Sequence, residues 1–271
     1  MKKLLMTVAV LACATTFVSA QVTSANIVGY GKVAKPGDGD LNIMGISFQS
    51  TSNNLSSICP PNQFKGSASD ATQADRLYIW DSATDKYTIY ALYDISFYGG
   101  IYENDIGWQN VEGYGFGAPY VDPVLPAGSA VWIQAAPLSA STNVITSGEV
   151  VSDAVVTNQI VSGLQIVSNP FSNATKLNDL NIAENATGDP SDATLADQIT
   201  VWNEVTQKYE IFALYYYAPP YDLYNGWQPL GAFGYGTTPT TYELKTGQGF
   251  WYNAKAGFEW VESNKYLSAF N

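Results

Sequence analysis

The chain has 271 residues, 46% of them hydrophobic and only 13% charged, which is too apolar for a disordered protein and enough for one large domain or two ordinary ones. Twelve Lys and Arg against 24 Asp and Glu give a formal charge of −12, a sign that repels phosphate backbones and anionic membranes and so excludes nucleic acid as a partner. No histidine is present, which removes Ser-His and Cys-His nucleophiles, His-ligated metal centres and any His general base.

Lys2 and Lys3 precede an apolar run from Leu4 to Val18, and Val18-Ser19-Ala20 supplies a cleavage site, so residues 1–20 are expected to be a signal peptide and Gln21 the mature N-terminus. The run is too short, and its flank too polar, for a membrane anchor. Val10-Leu11-Ala12-Cys13 loosely resembles a lipobox and leaves a lipoprotein as the alternative. Export places the protein outside the cytoplasm: secreted, at the cell surface or in the periplasm. Cleavage after Ala20 leaves Cys59 as the only cysteine, excludes an intrachain disulfide and, by removing Lys2 and Lys3, takes the net charge from −12 to −14. Cys59, followed by Pro60-Pro61, reads as a small buried apolar side chain.

Next along the chain, Asp38-Gly39-Asp40-Leu41-Asn42 has the alternating acidic start of a calcium loop, but lacks the glycine at the sixth position and the closing Glu. Asp38, Asp40 and Asn42 are the candidate metal ligands, and calcium is the one cofactor left open. Strands are expected over 42–48, 76–80, 87–93, 130–134, 143–147, 165–168, 198–202, 209–215, 250–253 and 258–261, from period-two alternation and β-branched or aromatic content. Helix is confined to turns near Leu55–Ile58, Leu177–Leu180 and the two Ser-Asp-Ala-Thr segments.

An internal repeat organises the mature chain. Residues 69–93 match 191–215 at a constant offset of 122, with 14 of 25 positions identical, among them Asp75/Asp197, Trp80/Trp202 and Tyr87/Tyr209. Gly107-Trp108-Gln109 matches Gly226-Trp227-Gln228, and Gly128 with Trp132 matches Gly247 with Trp251, at an offset of 119. The expected architecture is all-β: a tandem duplication over 21–149 and 150–271 of two small antiparallel sandwich- or barrel-like domains with short helical turns.

The opening Ser24-Ala25-Asn26-Ile27-Val28-Gly29-Tyr30, the Ile79-Trp80-Asp81 segment, Gly163-Leu164-Gln165-Ile166-Val167-Ser168-Asn169-Pro170-Phe171 and Gly247-Gln248-Gly249-Phe250-Trp251 resemble the signatures of uncharacterised exported two-repeat β proteins of verrucomicrobial and related bacteria. The resemblance implies export and a β-repeat architecture. It carries over no site.

A repeat preserves first what its fold requires, so the duplicated tryptophans are assigned to core or hairpin packing, and Asp70/Asp192 and Asp75/Asp197 to capping of turns. Residues that differ between copies are the better candidates for recognition. The loop over 94–106 carries Phe97, Tyr98, Tyr102 and Asp105, and its counterpart over 216–225 carries Tyr217, Tyr221, Asp222 and Tyr224. Planar rings beside carboxylates on loops suit stacking on sugar faces and bonding to hydroxyls; the bland alternative is packing of those rings on their own hairpins or between copies. The expected function is a non-enzymatic cell-surface or extracellular protein with a structural or interaction role, partnered by a glycan or a surface protein. Self-association into a layer or fibre is the alternative, and a carboxylate-dependent glycoside hydrolase a further one.

Overall fold

The computed structural model describes residues 28–49, 52–203, 206 and 208–265. The expected signal peptide, Cys13 and residues 21–27 therefore lie outside the described residues. Among those described, no helix is long and apolar enough to cross a membrane.

The fold is all-β. In chain order, the first half contains β1 (Val28–Lys35), β2 (Leu41–Gly45), β3 (Phe48–Gln49), a single helical turn α1 (Leu55–Ile58), β4 (Arg76–Asp81), β5 (Lys86–Asp94), β6 (Ile106–Asn110), β7 (Ala130–Gln134) and β8 (Thr142–Val150). The second half contains β9 (Val155–Ile160), β10 (Gly163–Ser168), β11 (Thr175–Lys176), β12 (Gln198–Asn203), β13 (Lys208–Tyr215), β14 (Gly226–Pro229), β15 (Glu243–Leu244), β16 (Gly249–Ala254) and β17 (Phe258–Ser263). Two five-stranded antiparallel sheets dominate, with orders β2-β7-β4-β5-β6 and β10-β16-β12-β13-β14. The two orders are the same when each half is numbered from its own first sheet strand. Each large sheet is covered on its inner face by a smaller one, β1-β8-β3 in the first half and the β9–β17 pair in the second.

The sheets stay open. The barrel-like option is corrected on this point: the outer edges of β6 and β14 are taken by loop backbone, Val121 N–H donating to Trp108 O (2.9 Å) and Thr240 N–H to Trp227 O (2.7 Å), rather than by a closing strand. β1, β6, β9 and β14 had no counterpart in the strand expectation. In β1 the reason is the pair Gly29 and Gly31, whose missing side chains make room for the Phe48 ring, so its inward face shows no apolar alternation.

Alternation decides which face of each strand goes where. In β4, Leu77 and Ile79 point into the first core, with Leu92, Trp108, Val131 and Ile133, while Tyr78 and Trp80 point outward. In β7, Val131 and Ile133 face the core while Ala130 and Trp132 face outward. The second sheet repeats the division: Ile199, Val201, Phe250 and Tyr252 face its core, and Trp202, Trp251 and Ile166 face outward. The two outward faces pack against each other. Ile43, Ala130, Trp132 and Ile166 are buried in this seam, with Tyr78, Trp80, Trp202 and Trp251 half-buried around them.

The seam is reciprocal. Gly45 N–H donates to Gly247 O (2.8 Å), and Ser168 N–H donates to Gly128 O (2.8 Å). Gly45 and Ser168 are counterparts in the two halves, as are Gly247 and Gly128, so the bonds are images of one another. The same exchange appears in the bridges Met44↔Gln248 and Ser129↔Val167. The rings follow it: Trp80 lies against Trp251 (5.4 Å between centroids) and Trp132 against Trp202 (6.3 Å). The duplicated tryptophans thus divide. Trp108 and Trp227 are core residues, whereas the other four fill the seam between sheets rather than either core.

Asp70 and Asp192 are turn caps as expected, each accepting from the N–H two residues on, Thr72 and Thr194 (2.8 Å each). Asp75 and Asp197 are not caps. Both are fully buried and fasten separate segments: Asp75 accepts from the N–H groups of Lys65 (2.7 Å) and Ala136 (2.6 Å) and from the Lys35 ammonium, and Asp197 from Thr187 N–H (3.2 Å), Lys255 N–H (2.6 Å) and the Tyr252 hydroxyl (2.7 Å). A buried carboxylate must be bonded at every oxygen, and the two halves satisfy that need with different third partners. Burial, with Asp197 beside it, holds the Tyr252 hydroxyl far above its ordinary pKa, so it stays a donor. Cys59 is buried, as expected, and burial raises its thiol pKa well beyond the reactive range.

A Cβ at Gly249 would stand 2.4 Å from Ile43 Cγ2 and 2.7 Å from Ala130 Cβ, at the centre of the seam, whereas a Cβ at Gly113 meets nothing. Gly249→Ala should cost about 1–3 kcal/mol from overpacking, and Gly113→Ala should stay within about 0.5 kcal/mol. Denaturant unfolding of both variants checks the contrast. Equal stability of the two would contradict the seam contact.

Candidate functional site

The Gly-Trp-Gln repeat does two things at once. In β6 and β14 the tryptophans fill the two cores, the Trp108 indole N–H donating to Cys59 O (3.0 Å). The next residue, buried Gln109 or Gln228, pins a loop. Gln109 accepts from Gly115 N–H (3.0 Å) and donates to Ala118 O (3.1 Å); Gln228 accepts from Gly234 N–H (2.9 Å) and donates to Thr237 O (2.9 Å) and Tyr224 O (3.0 Å). The pinned segments are Tyr114-Gly115-Phe116-Gly117 and Phe233-Gly234-Tyr235-Gly236. Their glycines take left-handed backbone, at φ +136° and +82° in the first and +135° and +88° in the second, where a side chain would be strained.

That backbone turns alternate rings in opposite directions. Tyr114 and Phe233 lie inward, on the buried rings of Tyr93 (5.8 Å) and Tyr215 (5.7 Å). Phe116 and Tyr235 point out, 75% and 68% exposed. Each outward ring then meets one ring of the neighbouring variable loop: Phe116 with Tyr102 (6.3 Å) and Tyr235 with Tyr224 (5.2 Å). Beside them, exposed Phe97 and Tyr98 form a close pair (4.2 Å), and exposed Tyr217 and Tyr221 another (5.5 Å). Each half therefore ends in an aromatic tip built from two loops at the outer-edge strand of its sheet.

Of the residues expected from sequence, Phe97, Tyr98 and Tyr102 are brought together at the first tip, and Tyr217, Tyr221 and Tyr224 at the second. The ring contacts given for them stay within their own half of the chain. Asp105 differs from expectation: it accepts from the Tyr120 hydroxyl and so serves the loop's own structure, and that contact together with burial raises the Tyr120 pKa. Asp222 remains exposed at the second tip. Beneath the rings, the hydroxyls of Tyr93 and Tyr215 are buried without a partner among the described residues, and burial raises both pKa values. Tyr114 is pushed up to about 12, chiefly by burial. These tyrosines are neutral donors at physiological pH.

The calcium candidates spend polar groups on the chain's own backbone. Asp38 accepts from Leu138 N–H (3.1 Å), and both ends of the Asn42 amide bond to backbone, donating to Ala34 O (2.7 Å) and accepting from Ile43 N–H (2.9 Å). Asp40 contributes its carbonyl to Ala135 N–H (3.0 Å). Among the described residues no group of three or more Cys, Asp and Glu side chains is placed to hold a metal.

Phe116 and Tyr235 were missed from sequence. The signal was present: an aromatic-Gly-aromatic-Gly pattern recurs at 114–117 and 233–236 with the same offset of 119 as the Gly-Trp-Gln motif just before it. Comparison with protein-family models, with curated proteins and with solved structures finds no match to this chain, so function is argued from these residues alone.

Removing the pin tests how the tips are held. Gln228→Ala deletes one acceptor and two donors at a buried position and should cost about 1–3 kcal/mol, while raising hydrogen exchange at the Gly234 amide. Unchanged protection of that amide would show that the glutamine does not hold the loop.

Proposed function

We propose that this is an exported, non-enzymatic protein of the cell surface or extracellular space that binds glycans through its two aromatic tips. The observation that carries the reading is the double tip. Exposed rings are held on pinned loops at the edge of a rigid sheet in both halves, whereas a monomeric protein normally buries rings of this size. Flat rings flanked by hydroxyls suit the apolar face of a sugar and its equatorial groups, and neutral sugars avoid the repulsion that an acidic chain imposes on phosphate-bearing partners. The predicted signal peptide supports export, and the internal repeat supports a duplication that yields two recognition ends.

Self-assembly is the second reading. It is favoured by β1, an edge strand among the described residues in the order β1-β8-β3, on which Val28 and Tyr30 are exposed.

The deciding experiment is a glycan array on the mature chain and on Tyr98→Ala, Phe116→Ala, Tyr217→Ala and Tyr235→Ala. Each substitution should leave stability within about 0.5 kcal/mol and reduce the bound signal, with the largest loss when both tips are altered. Full binding by the double-tip variant would place recognition elsewhere. Hydrolysis of an arrayed glycan would replace the non-enzymatic reading with the glycosidase one.

A further inference from the structure

A recess lies away from the tips, at the seam. It has a volume of about 250 Å³ and is lined from the first half by Lys32, Asn42 and Ile43 and from the second by Trp202, Tyr242 and Gln248, with Lys245 at its side. Ligand pockets for drug-sized molecules run from roughly 300 to 1,000 Å³, so this one suits something smaller, about one sugar ring.

The reciprocity of the seam breaks here. The Trp80 indole N–H donates to Leu164 O (2.7 Å). Its counterpart, the Trp202 indole N–H, is buried and has no acceptor among the described residues, although Leu41 stands in the place of Leu164. The difference leaves an unmet donor buried within a tryptophan whose side chain forms part of the recess wall.

The lining groups define the ligand. Trp202 and Tyr242 offer ring surface. Gln248 is braced, its amide donating to the Tyr242 hydroxyl (3.2 Å) and accepting from Lys245 N–H (3.0 Å). Lys32 projects from β1 as an exposed cation, so two of the chain's 12 cationic residues line one small recess on a protein with 24 acidic ones. Ring surface to stack on and a cation at the mouth match a sugar that carries a carboxylate. We propose that the recess binds a single hexuronate residue, free or at the end of an acidic polysaccharide, with its ring on Trp202 and its carboxylate toward Lys32.

The test uses the full mature chain at low salt, titrated with glucuronate and in parallel with glucose, with the Trp202 indole N–H resonance as the readout. Glucuronate should move that resonance in a saturable way below about 10 mM. Glucose should fail to saturate it, and Lys32→Gln, an exposed change that spares the fold, should weaken binding about five-fold. Tyr98→Ala and Tyr235→Ala should leave it unchanged, which separates this recess from the tips. No shift with glucuronate, an equal response to glucose, or unaltered binding by Lys32→Gln would each overturn the proposal.

Discussion

Two backbone hydrogen bonds, Gly45 to Gly247 and Ser168 to Gly128, set the distance at which the two large sheets meet, and the rest of the molecule follows from that distance. A sheet with Tyr78, Trp80, Ile43 and Trp132 on its outward face exposes a large apolar patch unless something flat and equally apolar covers it. The other half of the same chain supplies that cover. Small residues are required at the contact, because at 2.4 Å from Ile43 there is no room for a methyl group on residue 249. The arrangement has the logic of a two-fold dimer interface, in which one patch meets its own copy, but it is built within a single chain.

With the seam fixed, the halves are free to differ only where it does not reach. The buried aspartates show how narrow that freedom is in the interior: Asp75 and Asp197 keep the same backbone donors and exchange only the third partner, Lys35 for Tyr252. At the outer edges the freedom is wide. The first tip mixes Phe97 and Phe116 with tyrosine, while the second is built from Tyr217, Tyr221, Tyr224 and Tyr235, which makes it richer in hydroxyl groups. The outer edges also lie farthest from the seam in both strand orders, so changes there leave the shared interface undisturbed.

Much of this was legible in the residues. Period-two alternation located the central strands, and the offsets of 122 and 119 aligned the halves to single positions. What could not be read was where each apolar face goes. Arg76-Leu77-Tyr78-Ile79-Trp80 is apolar on both sides, which marks a strand covered on both faces but does not say by what. The four seam tryptophans were for that reason assigned to core or hairpin packing rather than to a sheet-to-sheet seam. β1 and β9 were hidden because glycines in the one and polar residues in the other leave little apolar alternation, and β14 because it is only four residues long. The aromatic tips were half visible: loop composition pointed to Tyr98 and Tyr217, but Phe116 and Tyr235 depend on glycine backbone whose direction no side-chain pattern reports.

The central claim is that the seam makes the two halves one cooperative body. Scanning calorimetry of residues 21–271 tests it most directly, by comparing the calorimetric enthalpy with the van't Hoff enthalpy. The account predicts a single transition in which the two agree for the whole chain. Two resolved transitions, each with the enthalpy of about half the chain, would contradict it and reduce the seam to a contact between independent domains.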